Sequence, residues 1–552
     1  MPAENKPRAK RLSRRQAIRG EWLAAPAGGP PPPHALRSPN NTSGVRAVGD
    51  PALPPLGIIV LNRLGFGPRP GDLAAFNALS SNDAARLILW VDSQLNPGAI
   101  NDSVCDAKLN AAGLPTLNKS LPQLWADHYN GSLSRTEPIS DIRDAAMLRA
   151  VYSQRQLFEV LADFWHNHFS VYAWDYAYAS ATWVSYDRDV IRGHALGNFR
   201  AMLEAVIQSP AMLYYLTNYI NQVAGTNENL GRELFELHTM GTENYAGVVD
   251  PFGVPKDLQG VATQYCDNDV YETARCLTGW RVNDGNSQAP ADNGTFFYYA
   301  AWHDKANKLV LGKYLSAFQA DLKDMHDVLD LLANHTGTAD FVARKLCRRL
   351  VSDTPSQALV DMAAGVFHAQ AAAPDQLKQV VKAILFSNEF QTTWGQKVKR
   401  PFEAVAGALR ATNANFLPDG GFWYYYEQAG QALFAHHSPD GYHDTRADWS
   451  NTNSLLERWR VVNYLVQDVF SNTTLDLPGQ MPGSVNTPNG IAGFWINRLL
   501  GRPMDPAANR LQVVNFMAQG RNPDFALPAD QILERLPHMV ALILMSPDFQ
   551  WR

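Results

Sequence analysis

From Leu56 onward, apolar residues recur every three or four positions in segment after segment, and this period constrains the fold more than any other feature. Helical spacing runs through 83–94, 142–169, 198–208, 227–240, 269–277, 338–351, 376–386, 455–469 and 530–545. Two-residue alternation is confined to 295–300 and 308–313, which read as a hairpin around Trp302, His303 and Asp304. A chain with this balance has to bury helix against helix. The expectation is a mainly α protein: a single large multi-helix domain over 53–552 with a small β-hairpin insertion. Met202–Met212, Val380–Phe390 and Met539–Phe549 share one pattern, an apolar helix followed by Ser and then Pro or Asn. Ser caps a helix and Pro suits its first position, so each copy marks one helix handing over to the next.

Residues 1–52 read differently. Lys6, Arg8, Lys10, Arg11, Arg14, Arg15 and Arg19 make a basic start, and Pro30–Pro33 follow an Ala/Gly stretch. Such a segment cannot bury enough apolar surface to fold and is expected to be a disordered tail. Ser13–Ile18 resembles a twin-arginine export signal, although the apolar stretch behind it is short and ends in prolines. The expected location is therefore periplasmic or secreted, with the cytoplasm as the alternative. A net charge of −5 disfavours a nucleic-acid partner. No apolar run approaches the roughly 18 residues that would span a bilayer. Cys105, Cys266, Cys276 and Cys347 lack zinc spacing. Cys266 and Cys276 fall near opposite ends of one expected helix, roughly 15 Å apart, so they do not bond each other.

The densest set of chemically capable side chains lies in 227–241, NENLGRELFELHTMG. On a regular helix Asn229, Arg232, Glu233 and Glu236 share one side, and Leu230, Leu234 and Leu237 another. Glu233 and Glu236 would offer oxygen ligands to a divalent cation, or one of them a general base. The bland alternative is an ion-pair lattice, with Arg232–Glu236 at i,i+4. Gly241 marks the expected helix stop, and His238 would complement the helix dipole there.

A second set is Phe164-Trp165-His166-Asn167-His168-Phe169. Leu157, Leu161, Phe164 and His168 recur on one stripe, with His166 about 200° away around the axis. Were the chain extended there, both imidazoles would share a face, as metal ligands do. Otherwise they are core histidines satisfied by backbone. His303-Asp304 would sit at the hairpin tip, as an orienting pair or simply as a turn. The aromatics Phe296–Tyr299, Trp302 and Phe422–Tyr426 suit either sugar stacking or core packing. His436, His437, Asp440, His443 and Asp444 crowd one turn-rich loop. The chain has no HExxH, no G-x-S-x-G, no Walker A loop, no EF-hand and no Glu-x-x-His pair, so zincin, serine-esterase, P-loop and ferritin-like di-iron chemistries are not expected.

Six motifs in order carry a family resemblance: RLGFGPRPGD (63–72), FWHNHFSV (164–171), NENLGRELFELHTMG (227–241), DVYETARCLTGWRV (269–282), HDKANKLVLG (303–312) and the closing SPDFQ (546–550). Together they resemble the bacterial family called domain of unknown function 1800. The resemblance implies a mainly helical, commonly exported protein, often encoded beside a second exported family, domain of unknown function 1501, as companion. It implies no activity. Gly231 stands where the family usually has Ala.

The functional expectation is a metal-dependent hydrolase acting on a polymer or cell-envelope substrate. His166 or His168 with Glu233 and Glu236 would bind the divalent ion. Glu233, His303 and Asp304 would do the catalysis, and Asn229, Arg232 and His238 would orient the ligands. The alternative is a non-catalytic exported scaffold or carbohydrate-binding protein in which the same His, Glu and Arg residues form a structural network.

Overall fold

A computed structural model describes residues 51–175, 179–286 and 288–552 of the chain. The basic segment and its twin-arginine-like motif lie outside the described residues. Pro51 and Ala52, expected in the tail, are already held: Pro51 is buried, and the Ala52 amide donates to Asp505 Oδ2.

Helices dominate, as the apolar period requires. Helix α1 (Leu56–Arg63) is buried along its whole length. The period expected to run unbroken through 142–169 is interrupted, giving α2 (Glu137–Tyr152) and α3 (Gln156–His168). The break has a local cause. Ser153 Oγ accepts from the Arg155 amide and donates to Asp102, while the Gln156 amide group donates to the Ser153 and Ala150 carbonyls. Side chains there take over backbone groups that a helix would have paired. Helix α3 is buried on nearly every face and runs through the core.

Residues 227–240 form only one turn and a half of regular helix, α4 (Asn229–Glu233), before a wider π turn, Leu234–His238. The extra residue in the π turn rotates everything after Glu233 relative to a straight helix. Gly241 ends the segment at φ 81°, as expected. Helix α5 (Asp267–Cys276) packs on α4 at Gly231, where a Cβ would stand 3.0 Å from the Val270 carbonyl oxygen. The close approach explains glycine at this position.

The β structure consists of two-stranded pieces. β1 (Tyr245–Gly247) pairs parallel with β2 (Tyr265–Cys266), and β3 (Trp280–Asp284) antiparallel with β4 (Asp292–Tyr298). β5 (Lys308–Val310) and β6 (Lys313–Leu315) form a tight hairpin of their own. The expected partnership of 295–300 with 308–313 is therefore corrected. Leu311 and Gly312 both take positive φ, 48° and 74°, which turns the second run back on itself. β7 (Asn415–Phe416) pairs with β8 (Thr473–Thr474).

Helices α6 (Thr336–Leu350), α7 (Pro401–Ala411), α8 (Thr452–Val466) and α9 (Ala529–Met545) follow; α7 packs against α2 and α8, and α8 against α9. The end of the chain returns to the start of α7: the Lys399 amide donates to the Gln550 carbonyl, and the Arg552 amide to that of Lys397. All three repeated segments are helix, Ser, helix, with breaks at Ser209, Ser387 and Ser546. Among the described residues no helix is long and apolar enough to cross a membrane.

Candidate functional site

Helix α3 aligns Glu159, Asp163 and His166 at i, i+4 and i+7, so the three side chains share one face. That face meets the π turn Tyr186–Arg192, which supplies Asp187 and Arg192. His166 Nε2 lies 2.8 Å from Asp187 Oδ1. Arg192 donates from Nε to both Asp187 oxygens at 3.0 Å and from Nη1 and Nη2 to Glu159 at 3.1 and 2.8 Å. Burial alone would raise the Asp187 carboxyl, but Arg192, His166 and Arg149 outweigh it and hold it far below the usual carboxylate range. An ionised carboxylate only accepts, so Nε2 carries a proton, and in the singly protonated ring Nδ1 is left bare. That Nδ1 is buried and has no hydrogen-bond partner among the described residues.

A cavity of about 20 Å³ opens at this face, lined by Glu159, Asp163, His166, Asp187, Arg192 and the rings of Phe66, Phe402 and Phe434. It is about the size one water needs. Phe434 closes it. Its ring centroid is 5.0 Å from that of His166, and its backbone is left-handed at φ 59°, a conformation that costs a non-glycine residue about 1 kcal/mol or more. The loop behind Phe434 is clasped by Asn167, whose side chain donates to the Tyr442 carbonyl and accepts from the Tyr442 amide, both at 2.8 Å. Gly441 is required beside that clasp: φ is 72° and a Cβ would collide with Asn167.

Below the cavity lies a second charged layer. Asp163 pairs with Arg349 and Arg400, and Glu403 with Arg349, Arg400 and Arg552. Glu403 is buried, which would raise its carboxyl, yet the three guanidiniums hold it well below the usual range. Asp444, from the loop whose residues 436–444 drew attention in the sequence, stands 3.5 Å from Lys397 and 3.8 Å from Arg349. In the same loop His436 pairs with Asp440 at 3.0 Å.

The expected site is distributed differently. Because α3 stays helical through His168, His166 and His168 do not share a face. His168 points the other way and meets the 227–241 segment at its backbone, with Nε2 3.1 Å from the His238 carbonyl oxygen. His238 is not at an exposed helix end. It is buried with both ring nitrogens unpaired among the described residues, and burial with Lys345 nearby pushes it down to about 3. Glu233 is buried, while Glu236 lies 3.6 Å from Arg232, which also reaches Glu228 and Asp267. Asn229 Nδ2 donates to the Leu216 carbonyl.

His303 and Asp304 serve the far end of α5. Asp304 accepts two hydrogen bonds from Arg275, while His303 Nδ1 is 2.9 Å from the Thr278 carbonyl oxygen and its Nε2 3.1 Å from Asp324. Asp267, which Arg232 touches, and Arg275 are eight residues apart on α5, about 12 Å along the axis. Glu236 and Asp304 thus stand in separate ion-pair groups, at the two ends of α5, while His166 pairs with Asp187 and His168 meets the 227–241 segment at His238. Among the described residues no three His, Cys, Asp or Glu side chains are arranged to hold a metal ion. Of the aromatics in 422–426, Phe422, Trp423 and Tyr426 are core residues. Asp187, Arg192, Glu159 and Asp163 were not anticipated, although the i, i+4, i+7 alignment on α3 was visible in the sequence.

No curated protein and no solved structure matches the chain. One family model does, over residues 59–551, and its description is "protein of unknown function". Its match takes in both α3 with its cavity and the 227–241 segment, and on that extent the chain belongs to the DUF1800 family.

Proposed function

We propose that the protein is a hydrolytic enzyme in which His166, oriented by Asp187, acts as general base on a water in the α3 cavity. The observation that carries this reading is the buried, unpartnered Nδ1 of an imidazole whose Nε2 is committed to an ionised aspartate. That division of labour is what general-base catalysis by histidine needs: one nitrogen fixes the tautomer and the ring, the other takes the proton. Among the described residues the cavity lining contains no Ser, Thr, Cys or Lys. Glu159 is engaged by Arg192, and Asp163 by Arg349 and Arg400, which leaves water as the nucleophile. The general-base reading needs no metal; the expected divalent ion stays a separate proposal, which elemental analysis of the purified protein tests.

The substrate class in this reading is a polymer outside the cytoplasm. Support for export is the twin-arginine-like Ser13–Ile18 segment, and fusing the first 52 residues to a reporter tests it. Co-purification tests a companion from the 1501 family. The catalytic reading is tested by screening wild type, His166→Gln and Asp187→Asn on glycan, peptide and ester polymers. Turnover by wild type that falls at least a hundredfold in His166→Gln, with a retained folding transition, is the expected result. Equal turnover by the variant contradicts it.

One observation favours the non-catalytic alternative: each carboxylate at the cavity is answered by a guanidinium or an imidazole, and the cavity admits about one water. Under that reading wild type turns over none of the panel, and His166→Gln changes stability alone.

A further inference from the structure

The carboxylates that line the α3 cavity differ in how many of their oxygens are taken. Both oxygens of Glu159 accept from Arg192, and so do both of Asp187, whose Oδ1 also meets His166. Asp163 is different. Arg349 and Arg400 both donate to its Oδ2, and among the described residues no hydrogen bond reaches Oδ1. The Asp163 side chain is 17% exposed, so the two guanidiniums do not seal it. Two side-chain acceptors at the cavity are left over: Asp163 Oδ1 and the bare Nδ1 of the singly protonated His166 ring. We infer that these two atoms jointly hold one water, and that Asp163 is the second acceptor on the water that His166 activates.

Spacing, size and proton count agree. Asp163 and His166 lie three residues apart on α3, a separation that puts their Cβ atoms side by side at roughly 5–6 Å. One water bridging two acceptors, with bonds of about 2.8 Å each, spans that gap. The cavity, about 20 Å³, has room for one such molecule. Neither acceptor can satisfy the other, because neither carries a proton. The rings of Phe66, Phe402 and Phe434 offer no conventional hydrogen-bonding group. Arg192 spends Nε and one N–H of each Nη on Asp187 and Glu159, which leaves it N–H groups to give the water oxygen. Two acceptors orient a water as one cannot. His166 alone would fix a single hydrogen and leave the molecule free to turn about that bond. With the second hydrogen directed at a carboxylate that Arg349 and Arg400 hold still, the rotation is removed, and such orientation of a reactant lowers a barrier.

The part Asp163 plays in catalysis rests on the general-base reading of His166; the water site does not. The test pairs a crystal structure of the full chain with kinetics on any polymer that wild type turns over. In Asp163→Asn the side-chain oxygen stays with Arg349 and Arg400, so an amide N–H faces the cavity where an acceptor stood. Ala146→Val crowds the cavity from α2 and changes no charged residue. The expected structure shows an ordered water within hydrogen-bond reach of both Asp163 Oδ1 and His166 Nδ1, lost in Ala146→Val. The expected kcat falls roughly a hundredfold or more in Asp163→Asn with KM within about threefold, a split that lost stability alone does not give. Ala146→Val shows the same loss, and decides the matter if Asp163→Asn does not fold. A cavity without ordered water, a water bonded to only one of the two atoms, or an unchanged kcat in either folded variant overturns the proposal. A bridging water with no turnover of any polymer retires the hydrolase and keeps the site. Turnover that needs His166 but tolerates Asp163→Asn does the reverse.

Discussion

His166 Nε2 stands 2.8 Å from Asp187 Oδ1, and this contact determines which ring nitrogen is left for chemistry. Asp187 is in turn gripped by Arg192, so the ring orientation is inherited from an ion pair within the π turn, which Arg192 also ties to Glu159 on α3.

Replacing Asp187 by Asn keeps the shape and removes the charge. Arg192 then loses one of its two carboxylates, and the His166 tautomer is no longer enforced. The expected stability loss at pH 7 is on the order of 3–5 kcal/mol, that of breaking a buried pair. The Asp187 carboxyl is depressed in the fold, so its contribution is present above the ordinary aspartate value near about 4 and is lost as pH falls below it. Urea unfolding of wild type and variant should therefore give a gap at pH 7 that narrows by pH 3.

Glu403 is the hub of the second layer. Glu403→Gln leaves Arg349 and Arg400 on Asp163, with Asp444 farther from Arg349, removes the carboxylate that Arg552 meets, and should cost about 3–5 kcal/mol. Arg552→Met, which removes one cation from a site that has three, should cost less. Thermal unfolding of the two variants side by side checks the order; a larger loss for Arg552→Met is the contrary result.

His238 predicts an acid-sensitive core. Its proton affinity is lowered from the ordinary 6.5 to about 3, so between those values the unfolded chain binds the extra proton. Stability must then rise with pH across that window and be lost as pH falls through it. His238→Phe removes this term. At pH 5 the variant should gain on the order of 2 kcal/mol relative to its difference from wild type at pH 8. Parallel stability curves for the two proteins across pH 4–8 would rule the account out.

The thiols give a test of packing. Cys105, Cys266, Cys276 and Cys347 are all free and buried, and burial pushes Cys105 and Cys347 up to about 12 and Cys266 to about 11. A disulfide-exchange reagent at pH 8 should label almost none in the native protein and all four in urea. Fast labelling of any one in native buffer contradicts its placement in the core.

Much of the scaffold was legible from periodicity. The segment 83–94 is a helix with those bounds, and the Leu157, Leu161, Phe164, His168 stripe is buried as expected. Two departures come from backbone groups finding other partners. Ser153 and Gln156 break one long helix, and the π turn after Glu233 rephases another. Apolar spacing is blind to both. The candidate site was half legible. His166 stood out by residue type, but its partners come from 187 and 192, and a π turn has no 3.6-residue signature. Glu233, Glu236, His303 and Asp304 drew attention because they are chemically capable, and the fold spends Glu236, His303 and Asp304 on the two ends of α5.

The most direct measurement of the central claim is the tautomer of His166, read by NMR from protein labelled with ¹⁵N histidine and assigned by the signal that His166→Gln removes. The account predicts that the singly protonated ring carries its proton on Nε2 and leaves Nδ1 bare, with a shift toward mixed tautomers in Asp187→Asn. A proton resident on Nδ1 in wild type, with Nε2 bare, would contradict it.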